Sequence, residues 1–342
     1  MKKAGNFWVI LFLCICLFSL GVLSEKHIFR NYFLKREKLK NDSVAAISKN
    51  TLKLTNPLLD YKPNFSFIGP KLESVIIDNV NSYKKNKNIG LVSVYFKDLN
   101  SGTCFGVNEK ENFIPESLNH LILMMAALKL SEESPDLVSY RFSFNEASNT
   151  FKKIDTTEIK DKKATIYDIY SIVEYLILYP SIETENFLKN LLNSINRKTV
   201  NKVYLDFGVQ NPAAKEQRQI TIKDFASLLG VLYNSTYINI QNSEKALFFL
   251  SEMEFKDGLV KGINNDKVMV AHMYDQTGNN KLFQMNDCGI IYYPKNSYVL
   301  CVMIKGTDIN QMTNVIQGVS KAVFDEMKVQ VPAIFVNNSK KP

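Results

Sequence analysis

The sequence predicts an α+β fold: a five-stranded antiparallel sheet flanked by terminal helices, with an all-helical insertion between strands two and three. Three observations support this prediction. Strand-like segments occur only toward the two ends of the globular part. The long stretch between them has the apolar spacing of helices. An amphipathic helical pattern opens and closes the series, and this order of elements favours helices packed against an antiparallel sheet.

The chain of 342 residues starts with Met1-Lys2-Lys3 and an apolar run from Phe7 to Leu23. Seventeen helical residues span about 25 Å, slightly less than a hydrocarbon core of about 30 Å. Both a cleaved signal peptide and an uncleaved anchor fit this pattern. Because the run is longer than a usual signal core and the cleavage site near Ser24 is poor, we predict a single-pass membrane anchor at residues 1–24. A secreted, cleaved form is the alternative.

The net charge of +8 lies almost wholly in the N-terminal part. Residues 1–62 carry eleven Lys and Arg against four Asp and Glu, a net of +7, which leaves +1 for residues 63–342. A nearly neutral globular part argues against a nucleic-acid partner. We predict that residues 25–62 form a basic polar linker. Its positive charge by itself favours the cytoplasmic side of a membrane.

Predicted helices and strands follow in order along residues 63–330, and residues 331–342 form a tail. The α/β part comprises 63–112 and 258–330, and the helical part comprises 113–257. The predicted elements are helix Pro70–Lys85, strands Gly90–Leu99 and Thr103–Val107, the helix that begins at Ser117, helices Thr165–Tyr179, Ile182–Ile195, Ile222–Tyr233 and Ser243–Glu254, strands Lys267–Tyr274, Gly289–Tyr293 and Tyr298–Ile304, and helix Ile309–Met327.

Periodicity and turn residues justify these elements. In the first helix, apolar residues recur at helical spacing (Leu72, Val75, Ile76, Val80 and Tyr83). Asn100-Ser101-Gly102 is a turn between the first two strands, and Pro294-Lys295-Asn296-Ser297 is a turn between the last two.

The segment from Phe113 to Leu130 predicts a buried helix with a serine at its start. Pro115 disfavours helix for the residue before it, so the helix begins near Ser117. A hydroxyl at a buried helix N-terminus lies among unpaired backbone N–H groups that can stabilise an oxyanion. Ser117 is therefore a candidate nucleophile. The alternative is that Ser117 is only the N-cap of this helix.

Cysteine and histidine usage indicates neither a metal site nor a disulfide framework. Cys104, Cys288 and Cys301 lie in strand-like segments, no pair has metal-ligand spacing, and the total of five is odd. We expect these three to be small buried hydrophobic residues. With three histidines, no His-Glu-x-x-His spacing and no Gly-rich phosphate loop, the sequence predicts no metal and no cofactor.

Four stretches carry a resemblance to a known family: VSVYFKDLNSGTCFGVNEKENFIPESLNHLILMMAALKL, ATIYDIYSIVEYLILYPSIETENFLKNLL, ITIKDFASLLGVLY and VMVAHMYDQTGNNKLFQMNDCGIIYYPKNSYVLCVMIKG. With the element order, they resemble the class A β-lactamase and penicillin-binding serine hydrolase family over roughly residues 63–330. That family carries Ser-x-x-Lys, Ser-Asp-Asn and Lys-Thr-Gly motifs. The resemblance implies an extracytoplasmic domain, with β-lactams or peptidoglycan stem peptides as partners.

Ser117-Leu118-Asn119-His120 stands at the Ser-x-x-Lys position, with the serine kept and the lysine replaced. Residues three apart share a helix face, so His120 could take the proton of Ser117 as a general base. The alternative is a histidine satisfied by hydrogen bonds beside the site.

Ser181-Ile182-Glu183 stands at the Ser-Asp-Asn position. The resemblance implies that Ser181 joins the proton relay and that Glu183 lines the substrate site. A carboxylate only accepts hydrogen bonds, so Glu183 cannot reproduce an asparagine amide. The alternative for Ser181 is a helix N-cap after Tyr179-Pro180.

The third motif has two possible registers, Met273-Tyr274-Asp275 and Gln276-Thr277-Gly278, of which the second retains Thr-Gly. Neither register offers the cation that helps to hold a substrate carboxylate. The resemblance makes Met273, Tyr274, Gln276, Thr277 and Gly278 candidates for substrate binding. The deacylating Glu-x-x-Leu-Asn run of β-lactamases has no counterpart in LDFGVQNPAAKEQRQI.

Three functional hypotheses follow. Loss of both lysines and the asparagine predicts a catalytically impaired or inactive domain that binds a ligand in the cell envelope, because members of one catalytic unit act together. The competing hypothesis is an active serine hydrolase with Ser117 as nucleophile and His120 as base. Its oxyanion hole would combine the Ser117 N–H with a strand N–H near Gln276–Gly278. A purely structural envelope protein is the third.

Overall fold

A five-stranded antiparallel sheet lies at the centre of the computed structural model, as predicted. Its strands, numbered in chain order, stand in the spatial order β2 (Cys104–Val107), β1 (Ile89–Asp98), β9 (Tyr298–Gly306), β8 (Leu282–Tyr292) and β7 (Met269–Asn279). The first strand of the chain thus pairs with the last one.

The structure describes residues 54–56, 70–83, 85–114, 116–145, 150–155, 165–208, 219–279, 281–294 and 296–330. These residues belong to one compact unit, Leu54–Pro342. The predicted anchor, the tail and most of the predicted linker lie outside the described residues. Within the described ranges, no helix combines the length and the apolar character that crossing a bilayer requires.

Two long helices near the ends of the described chain cover one face of the sheet. They are α1 (Pro70–Tyr83) and α9 (Ile309–Gln330), joined there by the short α8 (Leu259–Ile263). Their apolar side chains form one core with those of the strands, including Ile76, Phe96, Leu300 and Phe324. Removal of this apolar surface from water supplies the main driving force for packing the helices onto the sheet.

The segment between β2 and β7 supplies the remaining helices. They are α2 (Ser117–Glu133), α3 (Asp136–Ser139), α4 (Ile169–Leu178), α5 (Ile182–Asp206), α6 (Ile222–Tyr233) and α7 (Ile240–Ser251). Four of them begin at a side chain that accepts a backbone N–H three residues later, namely Asp168, Ser181, Thr221 and Asn239. Such caps satisfy N–H groups that have no partner within the helix.

The predicted all-helical insertion is wrong in two places. A hairpin of β4 (Arg141–Asn145) and β5 (Thr150–Ile154) lies between α3 and α4. In addition, β3 (Asn112–Phe113) pairs with β6 (Ile220–Thr221). Each strand of the hairpin spans only five residues, which is too short for an alternating pattern to be distinguished from a loop. Tertiary contacts hold it, because Phe142 and Phe151 are buried in an aromatic cluster.

Helix α5 runs eleven residues beyond the predicted end at Ile195. Asn196 interrupts it with non-helical angles, φ −153° and ψ 86°. The Asn196 side chain then accepts a hydrogen bond from the Thr199 backbone N–H at 3.2 Å. An asparagine cap therefore restarts the helix at the point where the periodic pattern had indicated its end.

Cys288 and Cys301 form a disulfide, which corrects the expectation of unpaired buried cysteines. They face each other directly across β8 and β9, with Cα atoms 4.0 Å apart, and both side chains are fully buried. Cys104 is free and exposed. The sequence could not reveal this pairing, because it depends on the register between two strands.

A short part of the predicted linker packs on the domain. Leu54 and Thr55 are buried, and their backbone N–H groups donate to the Glu244 carboxylate of α7 at 2.9 and 2.8 Å. The Asn56 N–H donates to the Tyr233 carbonyl at 2.7 Å. The compact unit therefore begins at Leu54, ahead of the predicted domain start at residue 63.

Candidate active site

Helix α2 begins at Ser117 without a cap from its own sequence. Glu116 occupies the N-cap position, but its side chain makes no capping hydrogen bond. Instead, Oδ2 of Asp275 on β7 accepts a hydrogen bond from the Ser117 backbone N–H at 3.4 Å. The alternative that Ser117 is the N-cap is therefore wrong, because Ser117 is the first helical residue and the cap comes from a distant strand.

The Ser117 hydroxyl is buried and has no hydrogen-bond partner. The residue is 2% exposed, and Oγ is among the buried polar atoms without a partner in the described structure. A buried hydroxyl without a partner costs free energy, so its presence indicates a place that a ligand or a solvent molecule can satisfy.

His120 lies one turn along α2 and pairs with Glu185 of α5. Its Nε2 is 3.3 Å from Oε2 of Glu185, and both side chains are largely buried. This arrangement matches the alternative in which the histidine is satisfied by a neighbour beside the site. Glu185 was not predicted as a site residue, although it follows Ser181 by one helical turn.

Ser181 is the N-cap of α5, as its structural alternative predicted. Its Oγ accepts the Thr184 backbone N–H at 3.2 Å and donates to Thr184 Oγ1 at 3.0 Å. Glu183, in the first turn of the same helix, is exposed. These contacts satisfy the Ser181 hydroxyl within its own helix, where it serves structure.

Alternation along β7 separates the candidates of the third motif onto two faces. Met273 is buried, and it shares the face toward the helical insertion with Asp275. Tyr274 lies on the opposite face, where its ring stacks on Phe255 with centroids 3.5 Å apart. Its hydroxyl donates to Gln276 Oε1 at 3.0 Å. Asp275, which had no predicted role, is thus the residue of this strand that contacts Ser117.

Thr277 and Gly278 lie at the far end of β7, beside the hairpin to β8. Thr277 is half-buried and Gly278 is exposed. Gly278 has a φ of +125°, and a Cβ there would come within 2.3 Å of the Leu282 carbonyl oxygen. The hairpin therefore requires glycine at this position for backbone reasons, independently of any substrate.

The environment of Asp275 opposes its ionisation. Burial raises the pKa of this carboxyl above its usual value, and the Glu116 charge raises it further. Hydrogen bonds from the Ser117 and Glu116 backbone N–H groups lower the pKa, as does His120, but the net direction is upward. Desolvation disfavours the charged form more than the helix N-terminus favours it.

Asn286 of β8 stands directly opposite Asp275 in the sheet and shares its face. The residue is 1% exposed, and neither Nδ2 nor Oδ1 has a hydrogen-bond partner in the described structure. Sequence reasoning missed Asn286, since only the strand register brings it beside Asp275. We call Ser117, His120, Glu185, Asp275 and Asn286 the serine site.

His272 and Asp287 form a second polar pair on the other face of the sheet. Nδ1 of His272 is 2.7 Å from Oδ1 of Asp287, and both side chains are fully buried. Oδ2 of Asp287 accepts the Leu259 backbone N–H at 2.8 Å, at the start of α8. This pair anchors α8 to the sheet and lies away from the serine site.

Four of the five residues of the serine site come from the three predicted motif regions, and the fifth, Asn286, comes from β8. The first turn of α2 contributes Ser117 and His120, the first turn of α5 contributes Glu185, and β7 contributes Asp275. Among the described residues, no group of three or more His, Cys, Asp or Glu side chains is placed to hold a metal ion. Chemically, the site offers a nucleophile and an imidazole beside carboxylates.

Comparison with protein families and known proteins gives a consistent result for the fold. A family model described as the beta-lactamase enzyme family matches residues 73–327. No curated protein matches the sequence.

Several solved structures share the architecture. A class A beta-lactamase from Bacteroides cellulosilyticus is 18% identical, with a TM-score of 0.62 over 75% of this chain and 99% of that one. The TLA-1 extended-spectrum beta-lactamase is 18% identical, with a TM-score of 0.61 over 75% and 99%. The penicillin-binding protein PBP-A is 16% identical, with a TM-score of 0.59 over 75% and 96%. At these identities, the likeness concerns the fold.

Proposed function

Because this chain belongs to the beta-lactamase enzyme family, we propose that it is a β-lactamase-like protein of the cell envelope with impaired serine chemistry, which acts by binding a ligand at the serine site. The single observation that carries this proposal is the contact of the Asp275 carboxylate with the Ser117 N–H. An acyl-transfer enzyme needs such an N–H free to stabilise the oxyanion that forms in the transition state. A fixed carboxylate there both occupies the donor and repels developing negative charge.

The general base supports the same conclusion. His120 directs Nε2 to Glu185, and the Ser117 Oγ has no hydrogen-bond partner in the described structure. Serine is a weak nucleophile until a base takes its proton. Without a hydrogen bond between nucleophile and base, proton transfer requires a rearrangement of the site.

An extracytoplasmic location is part of the proposal. The apolar run from Phe7 to Leu23 is suited to export, and we propose that it remains as a single-pass anchor. The Cys288–Cys301 disulfide supports a location outside the cytosol, because disulfides persist in oxidising compartments. β-Lactams and peptidoglycan stem peptides remain the proposed ligand classes.

A second candidate function is an active serine hydrolase, and the Glu185–His120 contact is the observation that favours it. A carboxylate that accepts the N–H on one side of an imidazole leaves the other nitrogen available as a base. In this candidate, Ser117 is the nucleophile, His120 the base and Glu185 a positioning residue.

Covalent labelling of the full-length chain separates the two functions. The protein is incubated at pH 6 to 9 with a fluorescent penicillin and, separately, with a fluorophosphonate, beside Ser117→Ala. We expect no Ser117-dependent adduct with either probe by gel fluorescence and peptide mass. A Ser117 adduct would overturn the binding proposal and support the hydrolase.

A positive result would then be examined with a matched pair of variants. In an active hydrolase, Glu185→Gln lowers the labelling rate, because the imidazole loses its charged partner. Glu73→Gln removes an exposed carboxylate on α1, outside the serine site, and leaves the rate unchanged.

A further inference from the structure

We propose that the serine site binds the primary ammonium group of its ligand. This inference rests on the proposed function, in which the serine site binds a ligand without reacting with it. It names the chemical group of the ligand that the site would recognise. The ligand would carry this ammonium group at the end of an alkyl chain.

Negative charge dominates the groups that surround Asp275. Glu116, the residue before α2, and His120 of α2 act electrostatically on it. The imidazole of His120 is itself paired with the Glu185 carboxylate. Three carboxylates thus stand against one imidazole within the serine site and its rim, which makes it a place that favours a cation over an anion.

Unpartnered buried polar atoms supply the second, independent observation. The Ser117 Oγ and both amide atoms of Asn286, Oδ1 and Nδ2, are buried without hydrogen-bond partners in the described structure. Ser117 donates its N–H to Asp275, and Asn286 is the cross-strand partner of Asp275, so both side chains belong beside this carboxylate. Two buried side chains that carry an acceptor oxygen are therefore neighbours of this carboxylate.

The number and kind of these acceptors match a primary ammonium group. An ammonium has three N–H donors and no acceptor, whereas a carboxylate ligand brings acceptors only. The Asp275 oxygen that does not bind Ser117, the Ser117 hydroxyl and the Asn286 carbonyl oxygen can accept one donor each. Because Ser117 and Asn286 are buried, only the end of a narrow side chain can reach their oxygens, with the ammonium group leading. A planar guanidinium with five donors fits this requirement less well.

A lysine of the protein itself does not fill this role. Lys305 shares the sheet face of Asp275, two residues farther along the strands. Its Nζ donates to the Asn112 carbonyl at 2.7 Å and lies 4.9 Å from the centre of the Phe113 ring. The ammonium of Lys305 is therefore held at the edge of the sheet by contacts outside the serine site.

Calorimetric titration with two neutral-backbone amides tests the proposal on the full-length chain. The probes are N-acetyl-lysine methylamide and N-acetyl-norleucine methylamide, which differ in whether the side chain carries an ammonium. We expect the lysine probe to bind at least about tenfold more tightly, as charge-assisted hydrogen bonds would produce. Equal affinities, or no binding of either amide, would overturn the proposal.

Variants assign the selectivity to the site. Asp275→Asn keeps the size and one acceptor oxygen but removes the charge, so the preference for the lysine probe should fall at least about fivefold. Ser117→Ala serves as a second variant, because it removes an acceptor without changing the strand. Glu73→Gln should leave the preference unchanged. A preference that survives both site variants would place the cation elsewhere and refute the inference.

Covalent labelling and calorimetric titration test the proposed function and the ammonium inference separately. Labelling of Ser117 by a penicillin would refute the proposed function while leaving the ammonium preference to be measured on the unlabelled protein. Loss of the ammonium preference without labelling would refute this inference and leave the impaired, ligand-binding protein in place.

Discussion

The Asp275 carboxylate and the Ser117 backbone N–H join strand β7 to the first turn of helix α2 across 158 residues of sequence. One hydrogen bond thus does two things. It caps a helix that has no cap of its own, and it fills the position at which an oxyanion would be stabilised. The same contact therefore contributes to both stability and reactivity, and variants of Asp275 can separate the two contributions.

Removing the Asp275 side chain should make the Ser117 N–H available to an oxyanion. In Asp275→Gly this N–H loses its acceptor, and we expect fluorophosphonate labelling of Ser117, absent in the unaltered chain, to become measurable, since one oxyanion donor is worth about a hundredfold or more in rate. The measurement is the labelling rate by peptide mass. Asp275→Asn keeps an acceptor oxygen near the N–H and should rise less. A glycine variant that folds but labels no faster would argue against the carboxylate as the barrier.

The pH dependence of stability should reveal the buried charge. The pKa of Asp275 is raised in the folded protein, so the folded state binds the proton more tightly than the unfolded state does. Its contribution to stability is therefore lost as pH rises from the unfolded pKa, near 3.8, through the folded one. Asp275→Asn should flatten this part of the pH profile in urea unfolding between pH 4 and 8. An unchanged profile would show that Asp275 does not titrate in this way.

The buried pair of His272 and Asp287 should be important for folding. Asp287→Ala leaves His272 and the Leu259 N–H without their acceptor inside the core. We expect a loss of about 3 kcal/mol in the free energy of unfolding, measured in urea, because removing one partner of a buried pair leaves the other unsatisfied. Asp287→Asn retains an acceptor and should lose less. As a control, Asp257→Asn on the exposed surface should change stability little.

The disulfide should stabilise the sheet. Cys288 and Cys301 close a loop with a sequence separation of 13, and a loop of this size corresponds to about 2–3 kcal/mol. Reduction, or the double variant Cys288→Ala and Cys301→Ala, should lower the midpoint of thermal unfolding. Cys104→Ala, which removes the exposed free thiol, should leave it nearly unchanged. The same midpoint with and without reductant would contradict the pairing.

Asn196 should matter more than its neighbours on α5. Asn196→Ala removes the cap on the Thr199 N–H, and we expect a loss of about 1 kcal/mol in the free energy of unfolding. Asn190→Ala, at an exposed helical position of α5, should be neutral or slightly stabilising, because alanine is the better helix former. Equal effects at both positions would indicate that the break at Asn196 needs no cap.

Several elements could be predicted from the sequence because their signals are local. Helix Ile222–Tyr233 has the predicted bounds, since a Thr cap and a continuous apolar pattern mark it. The start of α2 at Ser117 follows from Pro115. The five strands of the sheet were predicted, but β8 begins at Leu282, seven residues before its predicted start at Gly289, and β7 runs to Asn279, five residues beyond its predicted end at Tyr274. The hairpin of β4 and β5 was missed, because aromatic contacts with α4 and α5 stabilise it and its own pattern is short.

The serine site could be predicted only in part. Ser117 and His120 share one helix, so their proximity follows from spacing alone. Glu185, Asp275 and Asn286 come from other elements. Their positions depend on how α5, β7 and β8 pack against α2, which the sequence does not reveal. Asp275 belongs to one of the two possible registers of the third motif. Side chains of a strand alternate between its two faces, and the structure is needed to show that Asp275 lies on the face toward Ser117.

Pairing of the first strand with the last one has a consequence during synthesis. Ile89 at the start of β1 finds its partner in Gly306 at the end of β9. At ribosomal speeds of about 5–20 residues per second, the nascent chain waits roughly 10–40 s before that partner is made. Throughout this interval the apolar face of α1 (Pro70–Tyr83) lacks the complete sheet against which it packs in the folded protein. We therefore expect the emerging polypeptide to depend on a chaperone until translation is nearly finished.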